Sequence, residues 1–184
     1  MLPRVALGVL LPLVAACGVQ AAGTGDLVLG VMLPLHGAQA PLAQQELNGI
    51  RVAVDAANQT GGIRGHRIRL VTQDVTTREA VDPAVQALKA AGAPVILGTY
   101  SSALSIPAAH AVSSAGLVYW ETGAVADQVT GEALPRVFRV GAAGSNLGHG
   151  SAVFATEQLA PRLGRSVDQL RITVVEEHDP YGDS

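Results

Sequence analysis

Short apolar runs alternate with segments of helical period along most of this chain, and that alternation limits the fold more than any other feature. Residues 26–34 carry Leu27, Val28, Leu29, Val31 and Leu33 and read as a first strand. Leu47, Ile50, Val54 and Ala57 recur three and four apart, which predicts a helix over 42–58 that Thr60-Gly61-Gly62 stops. A second strand is expected at 66–74, where Ile68 and Leu70 alternate with Arg67 and Arg69. Thr76-Thr77-Arg78-Glu79 has the Thr-x-x-Glu form of a capping box. The helix it opens runs to Ala91 with Val81, Val85 and Leu88 as its buried stripe, and Pro83 falls early enough to be tolerated. Further strands are expected at 94–98, 117–121, 137–141 and 170–176, with helices over 106–115 and 146–163. Strands alternating with helices imply an α/β fold, a parallel sheet covered on both faces. After Gly141 one helix and one strand remain, too few for a separate core. The expected organisation is thus a complete lobe at 27–141 and a truncated second lobe at 142–184.

At 48% hydrophobic and 15% charged, the chain has material for real cores, and with aromatics at 3% those cores rest on Ala, Val, Leu and Gly. The net charge is −3 and no basic cluster occurs, which argues against nucleic acid as a partner. Residues 1–16 read as a targeting segment. One cation, Arg4, precedes an apolar run at 5–14 that is too short to span a bilayer as a mature helix. Val14-Ala15-Ala16-Cys17 resembles a bacterial lipobox, in which the cysteine is diacylated and becomes the new N-terminus. An ordinary signal peptide is the alternative. Cys17, the sole cysteine, sits at the cleavage position, which favours lipidation. Residues 17–26 then form a tether, and the expected location is outside the cytoplasm, on a membrane.

The stretch Gly98-Thr99-Tyr100-Ser101-Ser102-Ala103-Leu104-Ser105 follows a buried strand and precedes a helix. Ser101 or Ser102 can cap that helix, or offer hydroxyl and backbone donors to a carboxylate or carbonyl ligand. In open parallel sheets, ligands bind beyond the carboxyl ends of the strands. Trp120, the one tryptophan, either walls such a ligand or anchors the core. Glu121 reads as a solvated loop carboxylate, with a ligand ammonium as its alternative partner. Tyr181 is either a ligand contact or a loop aromatic. The five histidines lack metal-ligand spacing, so no metal is expected. No nucleotide-binding glycine motif, phosphate loop or nucleophile elbow is present, so neither cofactor nor enzymatic chemistry is expected.

From Leu29 to Ser184 the chain resembles the periplasmic leucine/isoleucine/valine-binding family, the type I solute-binding proteins of ABC transporters. The likeness rests on Leu47-Asn48-Gly49 with Gly61-Gly62-Ile63-Arg64-Gly65, on Gly98 to Ser102 followed by Pro107, on Gly116 to Ala124, and on Asp179-Pro180-Tyr181-Gly182. The resemblance implies two α/β lobes closing on a small solute, here an amino acid, amide or urea-like molecule, and ABC permease subunits as partners. It implies that Ser102 binds the ligand carboxylate or amide and that the Gly123 backbone meets the ligand. Tyr100, Trp120 and Thr122 match ligand-contacting positions of amide-binding relatives, and Tyr181 matches a tyrosine that reaches over from the second lobe. Leu42 replaces an aromatic wall of leucine-binding members, Val125 replaces a threonine, and Gly144 replaces an acid near the hinge. A solute-binding importer component is the expected function. An extracytoplasmic sensor of the same fold, and less so an enzyme on a Rossmann-like sheet, are the alternatives.

Overall fold

The computed structural model describes residues 25–183. The expected leader, Cys17 and most of the tether lie outside them. Five parallel strands form one sheet in the order β2-β1-β3-β4-β5: β1 Leu27–Leu33, β2 Ile68–Asp74, β3 Val95–Gly98, β4 Val118–Glu121 and β5 Val137–Arg139. Helices α1 (Ala40–Gln59), α2 (Val81–Ala90) and α3 (Ser102–Ser114) make the crossovers. A one-turn α4, Gln128–Gly131, was not foreseen. The fold is the α/β, parallel-sheet architecture that the sequence predicts, with helices on both faces.

The two faces of the sheet pack differently. Met32, Ile96 and Tyr119 point to the side where α2 and α3 supply Val85, Leu88, Leu104, Ala108 and Val112, all buried. Val31 and Leu33 point to the other side, where α1 covers them with Ala43 and Leu47. Burying a Leu or Val side chain contributes about 1.5–3 kcal/mol, so the α2–α3 face carries most of the apolar stabilisation. On the α1 side, Trp120 and Phe138 sit opposite one another in adjacent strands, with ring centroids 5.7 Å apart, and remain 40% and 48% exposed. Asn58, near the end of α1, fixes the start of β2: its amide donates to the Ile68 carbonyl at 2.9 Å and accepts from the Ile68 N–H at 2.7 Å.

Several expectations are corrected. The segment 170–176 forms no strand, because a strand requires a neighbour for its backbone groups and this segment has no ladder partner among the described residues. Ile172, Val174 and Val175 are accordingly exposed. Thr77 precedes a single 3₁₀ turn, Arg78–Ala80, but its side chain does not cap it. The third helix begins at Ser102 rather than near Ile106, so Pro107 lies inside it. The helix after the fifth strand begins at α5, Gly144–Val153, and continues through a π-helical stretch at Phe154–Leu159 into α6, Ala160–Arg162.

Candidate ligand-binding site

Two loops meet at the carboxyl edge of the sheet, one after β3 and one after β4. At the end of β3 the chain must turn sharply into α3. Gly98 has φ +123°, and a Cβ there would lie 1.9 Å from the Met32 carbonyl oxygen on β1. Only glycine fits. Tyr100 follows with φ +77°, which turns its ring toward the β4 loop. A Cβ built on Gly123 would lie 2.9 Å from the Tyr100 ring, 3.1 Å from Tyr100 Cα and 3.1 Å from Glu46 Oε2. Tyr100 and Glu46 therefore both crowd Gly123, and the lack of a side chain there is what admits them.

Neither serine caps α3 with its side chain. Ser101 Oγ accepts a hydrogen bond from Gln39 Nε2 at 3.2 Å. Ser102, 2% exposed, accepts from the Ala126 N–H at 3.2 Å, which ties the start of α3 to the β4 loop and leaves the serine's own hydrogen to be donated. Arg139 braces that loop from β5, donating to the carbonyls of Val125 at 3.1 Å and Ala126 at 2.5 Å. Ser102→Ala is expected to lower stability by about 1–3 kcal/mol, because it leaves a buried N–H unpaired. Chemical denaturation checks this, and an unchanged midpoint would contradict the assigned bond.

Glu121 is not a solvated loop carboxylate. It is fully buried, on the same strand face as Tyr119 two residues earlier. The Tyr119 hydroxyl donates to Ser105 Oγ at 3.2 Å, Ser105 Oγ donates to Glu121 Oε1 at 3.1 Å, and the Gly123 N–H donates to Glu121 Oε2 at 2.8 Å. Thr99 Oγ1 joins at Ser105, 2.8 Å away. Burial raises the Glu121 pKa above the ordinary glutamate value against the opposing pull of these donors, and the Glu46 charge adds to the rise. Burial also raises Tyr119, with Glu121 adding to it, so the phenol keeps its proton and donates.

Glu46 is the functional candidate that sequence reasoning missed. It accepts a hydrogen bond from the Thr122 hydroxyl, and burial raises its pKa while that bond lowers it. No local pattern sets it apart from other polar positions of α1. Glu121 did carry a signal, since alternation places it on the buried face with Tyr119.

The structure thus brings Tyr100, Thr122 and Gly123 together, with Ser102 bonded to Ala126 further along the same loop. Trp120 lies two residues before Thr122, on β4, its ring tilted against Phe138. Tyr181 stands apart, exposed in a loop whose Pro180 borders Ile106 and Gln128. A hollow of about 760 Å³ runs along the outer sides of α2 and α3 and contains none of the expected site residues.

The sequence pattern of the periplasmic binding protein family matches residues 26–182, on this parallel α/β lobe. The chain belongs to that family, whose members bind solutes rather than transform them. A Leu/Ile/Val-binding protein homolog 8 from Brucella abortus (strain 2308) is 34% identical over the whole chain, which covers 46% of that protein. Two solved substrate-binding proteins of ABC transporters from Desulfitobacterium hafniense are similar. One has a TM-score of 0.71 and 26% identity, over 86% of this chain and 44% of that one. The other, in complex with Leu, has a TM-score of 0.65 and 28% identity, over 72% and 39%. The chain spans about half the length of the curated relatives it matches.

Proposed function

We propose that this chain is part of the extracytoplasmic solute-binding component of an ABC importer. Residues 27–141 form the first lobe, 142–184 open the second, and a small amino acid or amide-like solute binds between them. The observation that carries the reading is the convergence of Tyr100, Thr122 and Gly123 at the carboxyl edge of the sheet, in the loops that Ser102 and Ala126 tie together. Family membership and the Leu complex of a 28% identical relative support it. In this reading Trp120 and Tyr181 complete the contacts, Tyr181 from the second lobe, and closure presents the loaded protein to the permease. The test is calorimetry and thermal shift with branched-chain amino acids, other amino acids and amides, on the polypeptide carrying both lobes. A true ligand at a hundred times its Kd stabilises the native state by about 2.7 kcal/mol. Absence of heat and of any shift across the panel would end the reading.

The same proposal places the protein on a membrane through Cys17 after removal of residues 1–16. Two or three acyl chains hold a protein firmly, whereas one holds it weakly. Cys17→Ser is expected to abolish palmitate incorporation and move the protein to the soluble fraction of a bacterial host. Wild-type protein that never takes up label would refute the anchor.

A further inference from the structure

We propose that Glu46 is the group on this lobe that meets the positively charged nitrogen of the solute. The inference rests on the solute-binding reading above and adds the chemical class: the solute bears an ammonium group, and is neither a neutral amide nor a plain carboxylate.

Glu46 lies in the second turn of α1, which begins seven residues after β1 ends, and so stands at the carboxyl edge of the sheet beside the β3 and β4 loops. One carboxylate oxygen takes the Thr122 hydroxyl. The other lies toward Gly123, 3.1 Å from where a side chain there would begin, and Gly123 itself is exposed. A carboxylate has about four lone-pair sites, so one hydrogen bond leaves most of its accepting capacity unused. Glu121 lies close enough for the Glu46 charge to act on it. Two carboxylates drawn out of water thus flank Thr122 and Gly123, yet among the described residues neither forms an ion pair with lysine, arginine or histidine. The guanidinium nearest in register, Arg139, is committed to the Val125 and Ala126 carbonyls. A withdrawn charge without a counter-ion is costly, and the cost is recovered when a cation arrives. An ammonium supplies that cation. A neutral amide supplies only a weaker donor, and a carboxylate without an amine adds repulsion.

A purely structural Glu46 would do no more than pin the β4 loop through Thr122. Glu46→Gln separates the two roles, because the amide oxygen still accepts from Thr122 while the charge is gone. Calorimetry on the two-lobed polypeptide would use four probes of one shape: L-leucine, isoamylamine, isovaleramide and isocaproate. The wild type is expected to bind leucine and isoamylamine and to disfavour isocaproate. In Glu46→Gln both amines weaken by about tenfold or more, isocaproate holds or tightens, and the unliganded melting temperature holds or rises. Equal weakening of all probes, no weakening, or isovaleramide binding the wild type more tightly than leucine would overturn the role of Glu46 while solute binding stands. A wild type silent to these four and to the wider panel overturns both, and one that binds only amides in that panel overturns the role of Glu46 alone.

Discussion

Gly98→Ala is expected to destabilise the chain by about 4 kcal/mol or more, a large share of the roughly 5–15 kcal/mol that holds an ordinary domain together. The added methyl carbon would lie 1.9 Å from the Met32 carbonyl oxygen, a backbone atom of the adjoining strand that no rotamer change can move. Gly98 also has φ +123°, a region that L side chains rarely adopt. Relief requires β3 to separate from β1 at the Met32–Gly98 pair, the end of the ladder from which the Tyr100 loop departs. Both folding and the site should therefore fail together. Circular dichroism and denaturant titration check this. A cooperative transition within about 1 kcal/mol of wild type would mean that the β3 turn is not built as described.

Removing the Glu121 carboxylate should have the next largest effect. Glu121→Ala leaves the Ser105 hydroxyl and the Gly123 N–H without their acceptor in a buried site, at a cost of about 2–4 kcal/mol. Glu121→Gln keeps the shape and an acceptor for Gly123, while its NH₂ turns the Ser105 bond around, so it should fold. Its signature is a changed pH dependence. Glu121 and Glu46 both have raised folded-state pKa values, chiefly from burial. As pH falls from neutral through those raised values, the folded state takes up protons that the unfolded state does not yet hold. Stability therefore rises, and this contribution levels off once the ordinary value of 4.5 is passed. Asp127 works in the opposite sense at lower pH: the Ser145 backbone N–H holds its pKa below the ordinary value, so its contribution is lost as pH falls through the lowered one. The wild-type melting temperature should climb on mild acidification and then fall. Glu121→Gln should flatten the climb, and an identical slope in the variant would show that Glu121 is not the buried, titrating group.

The sequence by itself determined the α/β class and, the one-turn α4 apart, the run of strands and helices through β5. Those elements rest on local periodicity: a stripe at Leu47, Ile50 and Val54, alternation around Ile68 and Leu70, and apolar runs closed by glycine. It also pointed to Ser101 and Ser102, because a strand that ends in a Gly-Thr-Tyr-Ser-Ser turn collects donors wherever it lies in a sheet, whereas Tyr100, Thr122 and Gly123 entered only through the family resemblance. What sequence could not determine depends on partners distant along the chain. The run at 170–176 has the composition of a strand, but strand formation is decided by a neighbour, and none pairs with it among the described residues. Glu121 reads as a loop residue until Tyr119, Ser105 and Gly123 close around it. Glu46 lies 76 residues from Thr122, and only the packing of α1 against the sheet edge brings the two together. Periodicity decides which face of an element is apolar. The tertiary structure decides which polar groups are withdrawn from water and which of them meet, and here that sets the charge a solute would find.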